Sequence, residues 1–273
     1  TREVLTHGPD APTDAVVVRV FDGAGHAAGN LAVTSRRVAQ ARRRCSAAEA
    51  EAIARRIEAG ELAAVGGLDA RQWQRLASLL RLATPLPHAR IAALPLRVLP
   101  PPRLHVLNPA QALQALLTLL FTGEAYARRM TSIGALMPNA DARRRFFLFM
   151  NAMLARRLAV GWAADRLRVR TTLEDAWTHP VIQRRWEQLA MRLSRADCER
   201  IVRLATQRGL VGPSCHWIDD AVATEGWAIE SQGRVPAPPA APTPPLAASA
   251  DARLRCRLIP TASPVRPAMA ERV

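Results

Sequence analysis

Mostly apolar residues make up two short runs, Val16 to Val20 and Asn30 to Val33, on either side of Gly23, Gly25 and Gly29. Strand-like runs around a glycine-permitted turn predict a β-hairpin. Beyond the hairpin the apolar positions recur at helical spacing. Ser46 followed by Glu49 is a capping-box signature, the stretch to Ala59 keeps the 3.6-residue period, and Gly60 supplies a stop. A second helix is predicted from Asp69, with Trp73, Leu76, Leu79 and Leu80 on one face. Further helices are expected from Pro109 to Thr131, from Asp141 to Leu158, from His179 to Met191 and from Ser194 to Arg208, with a break at Pro138 and a loop after Leu158. Phe146, Phe147, Phe149, Met150 and Met153 are spaced as a buried stripe on the third of these helices, which favours packing over base stacking.

Residues 84–102 carry six prolines, three of them consecutive at Pro100, Pro101 and Pro102. Proline removes amide donors and fixes φ, so an extended connector between two halves is expected here. The predicted organisation is a hairpin plus helices over 1–83, a Pro-rich connector over 84–102, a helical region over 103–230, and a Pro/Ala-rich tail over 231–273. The tail is too poor in large apolar groups to offset the entropy of ordering it, and is expected to drape over a partner. The fold class is mainly α: short helices packed on partner subunits, a small N-terminal β-hairpin and an irregular C-terminal tail.

Composition supports the helical reading. Hydrophobic residues make up 49% of the 273 residues but aromatics only 4%, so the core must come chiefly from aliphatic side chains on helices. The formal charge is +15, and all 38 basic residues are arginine. Such a surplus attracts polyanions: nucleic acid, acidic proteins or an anionic membrane surface. The longest apolar candidate, Ala112 to Phe121, is about half of what a spanning helix needs. No charged start followed by an apolar stretch stands near Thr1, so a targeting peptide is not expected among these residues. The four cysteines (Cys45, Cys198, Cys215, Cys256) are too scattered for a disulfide framework, and a reducing compartment such as cytosol or matrix is expected.

Candidate chemistry is sparse. Cys198, Cys215 and His216 come nearest to a metal set, yet tetrahedral zinc needs four ligands and no Cys-x-x-Cys pair nucleates one. Cys198 reads as a small core residue. The six histidines are dispersed, and the glycines after the first strand do not form a dinucleotide fingerprint. No catalytic residue, cofactor or metal is therefore expected. Arginine triplets at Arg42–Arg44 and Arg143–Arg145 could grip phosphates bidentately or line the solvated side of amphipathic helices.

An ordered set of residues over about 146–229 adds a more specific pattern. It contains Asn151; Arg156, Arg157 and Leu158; Asp165 and Leu167; His179 and Pro180; Arg184 and Arg185; Arg200 to Arg203; and Trp217 with Asp219 and Asp220. This order resembles subunit 7 of the mitochondrial cytochrome bc1 complex, a small matrix-side protein packed against cytochrome b. The family's Leu-Pro after its arginine pair is replaced here by Trp186 and Glu187, and its aromatic-Leu-x-Pro segment is echoed only by Trp227 and Ile229. The resemblance implies a non-catalytic accessory subunit of respiratory complex III, peripheral on the matrix side of the mitochondrial inner membrane. Its implied partners are cytochrome b, other complex III subunits and anionic lipid such as cardiolipin. The implied partner-binding residues are Arg156, Arg157, Arg184, Arg185, Arg200, Arg203 and Trp217.

A second resemblance competes from the other end. Phe21 to Ala32, with Asp22, Gly23, Gly25, His26, Gly29 and Leu31, is similar to the opening of the ribosomal protein uL13 family, and Gly134 to Arg145 to a later helix of that family. That alternative implies a mitochondrial ribosomal protein whose arginines neutralise rRNA phosphates.

Overall fold

The computed structural model describes residues 2–8, 10–22, 26, 28–101, 104–123, 125–161 and 164–210. Among them are ten α-helices and one antiparallel hairpin. The hairpin pairs β1 (Ala15–Arg19) with β2 (Leu31–Ser35) in the register Ala15↔Ser35 to Arg19↔Leu31. The mainly helical class and the N-terminal hairpin are as the hydrophobic pattern predicts, whereas the Pro-rich tail lies outside the described residues. Strand alternation turns Ala32 into the core and its neighbour pair Val17↔Val33 outward, at 62% and 56% exposure.

After the hairpin come α1 (Arg36–Arg42), α2 (Ala47–Glu58) and α3 (Ala70–Leu82). Helix α1, which the pattern does not predict, ends on Arg42, the first residue of the arginine triplet, and Arg42 turns inward. Its guanidinium donates to the carbonyls of Arg19 and Val20 and to the Asp22 carboxylate, tying the helix to the end of β1. Helices α2 and α3 each open on a capping box, Ser46 with Glu49 and Asp69 with Gln72, and α2 ends before Gly60 at φ +76°. They pack with Ile53 and Ala54 facing Trp73, Leu76 and Leu80, all buried.

The 84–102 stretch does not act as a spacer between halves. It contains the short helix α4 (His88–Ala92) and buries Ile91, Leu96 and Leu99 in the same core as both flanks. The Trp186 indole donates to the Ala92 carbonyl at 2.8 Å, the His88 ring meets the Leu193 carbonyl at 2.9 Å, and the Leu99 amide donates to Glu174 at 3.1 Å. Proline dictates where amide donors are missing. It does not stop the intervening Ile and Leu side chains from being buried, and burying each contributes roughly 2 kcal/mol.

Helix α5 (Pro109–Leu119) is buried on every side, with α4, α8 and α10 packed around it. Its polar residues bond inward: Gln114 donates to the Leu94 carbonyl, though its Oε1 is buried without a partner, and Asn108, just before the helix, donates to the Arg81 and Thr84 carbonyls. The single helix expected from Pro109 to Thr131 is split. A 3-10 turn over Leu120–Thr122 and Ala125 at φ +56° separate α5 from α6 (Tyr126–Gly134), which lets Phe121 become fully buried.

Helix α7 (Ala140–Ala159) starts at Asn139, whose side chain accepts from the Ala142 amide. It buries Phe146, Phe149, Met150 and Met153, the stripe its spacing predicts. The expected loop after it contains α8 (Arg166–Ala176), capped by Asp165 and burying Val169, Leu173 and Ala176. Helices α9 (Pro180–Ala190) and α10 (Arg195–Gln207) follow, close to their predicted spans. Phe149, Trp177 and Trp186 form a triangle of rings with centroids 5.4–5.5 Å apart, and the Trp177 indole donates to the Thr118 hydroxyl of α5.

Candidate functional site

Among the described residues a groove of about 920 Å³ lies beside the hairpin. One wall is the outward face of the strands and the residues before them, with Val4, Leu5, Val17 and Val33. The other is formed by Leu76 and Leu79 of α3, Val98 and Leu99, and Leu167 of α8. Val4 and Leu167 are 84% and 71% exposed, so this is apolar surface left facing solvent rather than an internal void.

A charged cluster closes one end of the groove. The Glu174 side chain is 5% exposed; its Oε2 accepts from Arg75 at 2.7 Å and its Oε1 from the Leu99 amide at 3.1 Å and from Arg170 at 3.4 Å. Arg2 stands 3.8 Å from the same carboxylate and pairs more closely with Asp175, at 2.5 and 2.8 Å. Arg75 also donates to the Arg97 carbonyl. Three guanidinium groups thus surround one buried carboxylate, and two of them, Arg2 and Arg170, line the groove with side chains 34% and 43% exposed.

The partner-binding residues expected from the sequence do not gather in one place. Arg157 donates to the Phe121 and Gly161 carbonyls, Arg185 to Leu148 and Arg200 to Leu136. Three of these acceptors, Phe121, Gly161 and Leu136, lie at or just beyond helix C-termini, where carbonyls lack intrahelical donors and a cation is favoured. These three arginines therefore hold the chain's own helices together. Arg184 and Arg203 are exposed and Arg156 is half-buried, with no hydrogen bond from their guanidinium groups among the described residues. Trp217, Cys215 and His216 lie outside the described residues. Of the two arginine triplets, Arg42 serves as an internal clamp, Arg143 donates to the Gly134 carbonyl and Arg145 to Gln188, so both triplets are partly structural.

The Glu174 cluster was not visible in the sequence. Arg170 and Glu174 stand at i and i+4, a spacing that would have signalled a pair had 166–176 been read as a helix. Arg75 is 99 positions from Glu174, and only the fold joins them. Cys198 is a free, buried thiol pushed up to about 12, chiefly by burial and secondarily by Asp197. Among the described residues no group of three or more His, Cys, Asp or Glu is placed to hold a metal ion, and no helix is long and apolar enough to cross a membrane. Compared with protein-family models, curated proteins and solved structures, the chain matches none of them.

Proposed function

We propose that this chain is a non-catalytic scaffold subunit that docks on the matrix side of respiratory complex III and stabilises cytochrome b in the assembly. One observation carries the docking role: the apolar groove beside the hairpin, walled by Val4, Leu5, Val17, Val33 and Leu167 and closed by guanidinium groups. Such a surface suits a partner segment that offers apolar side chains and an acidic group. The apolar walls supply the driving force, while Arg2 and Arg170 select for negative charge. The choice of complex rests on the ordered pattern over about 146–229, in which exposed Arg184 and Arg203 and half-buried Arg156 remain available to acidic loops or cardiolipin phosphates. Within this reading the internal hydrogen bonds of Arg157, Arg185 and Arg200 shape the scaffold that presents those groups.

The test is co-purification of the tagged full chain from mitochondria in mild detergent. The expected result is co-elution with the cytochrome b haem spectrum, unaffected by ribonuclease, and lost in a variant carrying Val17→Asp and Leu167→Asp. Both side chains are exposed, so that variant keeps its core. Sedimentation with rRNA, released by ribonuclease and high salt, would overturn the proposal in favour of the ribosomal alternative.

A further inference from the structure

Arg81 lies in the last turn of α3 with its side chain 7% exposed. A guanidinium carries five donors, and burial without acceptors is costly. Arg42, comparably buried, also leaves its Nε without a partner, but its two terminal nitrogens donate to two carbonyls and a carboxylate. Arg81 differs. Its Nε is buried without a partner, its terminal nitrogens make no hydrogen bond among the described residues, and the Glu51 carboxylate stands 3.7 Å away, beyond hydrogen-bonding distance.

Two concavities meet at this side chain. One, about 250 Å³, lies between the end of β1, α2, α3 and α4, and the other, about 180 Å³, runs along α2 and α3 to Arg97. They share Glu51, Arg81 and Leu94, and together they are lined by six arginines (Arg42, Arg44, Arg55, Arg81, Arg90, Arg97) against three carboxylates (Asp22, Glu51, Glu58). Asp22 is already bound by Arg42, and Glu58 accepts from Gln74. Glu51 and Glu58 are left to serve the remaining five guanidinium groups, and of the two only Glu51 lines both concavities. Burial holds the Arg81 and Arg97 guanidinium groups below their ordinary value; Glu51 opposes this at Arg81, Glu58 and then Glu51 oppose it at Arg97, and the charges of Arg97 and Arg90 press Arg81 further down. A dianion placed here would relieve that repulsion and supply the acceptors Arg81 lacks.

We infer that the junction of these two concavities is a binding site for a phosphate group, free or carried on a small organic molecule, with the Arg81 fork as its anchor and Arg90 and Arg97 as flanking charges. Phosphate fits better than a single carboxylate because its oxygens accept two parallel donors from one guanidinium and still face further cations. Val20, Leu80, Leu86 and Leu94 line the larger concavity and give an organic substituent apolar contact. The site is separate from the groove beside the hairpin, and the inference does not depend on the scaffold reading.

Calorimetric titration of the full chain in phosphate-free buffer tests it, with inorganic phosphate and glycerol 3-phosphate as probes. Saturable binding of one phosphate per chain is expected. The double variant Arg90→Ala, Arg97→Ala should bind about tenfold more weakly or worse, since each tenfold corresponds to about 1.4 kcal/mol. Glu51→Gln, which removes the resident competitor, should bind more tightly. Arg81→Met should abolish binding, and if that variant fails to fold by circular dichroism the other two decide. Tighter binding of glycerol 3-phosphate supports a phosphomonoester ligand, and equal binding supports the free anion. Titration that does not saturate, or equal affinity in wild type and the double variant, would reduce the effect to diffuse attraction by a cationic chain and overturn the site.

Discussion

Replacing Glu174 by Ala should destabilise this protein more than any other loss of a single charge. The carboxylate is 5% exposed and accepts from Arg75, Arg170 and the Leu99 amide, so truncation strands a largely buried guanidinium and a backbone donor together. Breaking a buried ion pair by removing one partner costs about 3–5 kcal/mol. Here the low end applies, for two reasons. Arg170 and Arg2 are 43% and 34% exposed and return to water cheaply, and Arg75 keeps its bond to the Arg97 carbonyl. A loss of about 3 kcal/mol at roughly 2–4 °C per kcal/mol lowers Tm by about 6–12 °C. Thermal and urea denaturation followed by far-UV circular dichroism measures it. The double variant Arg75→Met, Glu174→Leu should recover a substantial part of the loss, because an apolar pair leaves neither charge stranded. If Glu174→Ala costs under about 1 kcal/mol, the cluster is as well solvated as a surface pair and the reasoning about its burial is wrong.

Two further outcomes follow from titratable groups in α10. With the other three cysteines replaced by Ala, Cys198 should react with an aromatic disulfide near neutral pH only at the rate at which the chain opens, because burial keeps its thiol protonated up to about 12. The stability this neutral thiol contributes is whole below its ordinary value of 9.0 and is lost as pH climbs toward about 12; rapid labelling of the native chain would contradict it. Asp197 is held below the ordinary carboxylate value of 3.8, first by the Ser194 hydroxyl and then, against a burial penalty, by the Ser194 amide and Arg200. Its contribution is present above that ordinary value and disappears as pH falls through the lowered one. Ser194→Ala should cost about 1 kcal/mol near neutrality and less in acid, and urea midpoints showing an equal penalty at both would count against the carboxylate's part in the cap.

How legible each element was depended on the range of the interaction that makes it. The hairpin, α2, α3, α7, α9 and α10 all announce themselves through side chains within four residues of one another: caps at Ser46, Asp69, Asn139 and Ser194, and stripes such as Phe146, Phe149, Met150 and Met153. Helix α8 was hidden because Val169, Thr171 and Thr172 are β-branched and its polar face is crowded with arginine, so local propensity is weak and burial of Leu173 and Ala176 against the rest of the core decides it. The split between α5 and α6 was equally unreadable, since it serves the burial of Phe121.

The arginines divide along the same line. Sequence alone established that the chain is a cationic, mainly helical protein with a hairpin at its start, because charge and periodicity are sums over neighbours. It could not say which guanidinium clamps a carbonyl, as Arg42, Arg157 and Arg200 do, which surrounds Glu174, as Arg75 does, and which is buried without an acceptor, as Arg81 is. Those roles were decided only by tertiary structure. A guanidinium's chemistry is the same at every position in the chain, and only the acceptors that folding brings to it from distant residues distinguish a clamp from a binding site.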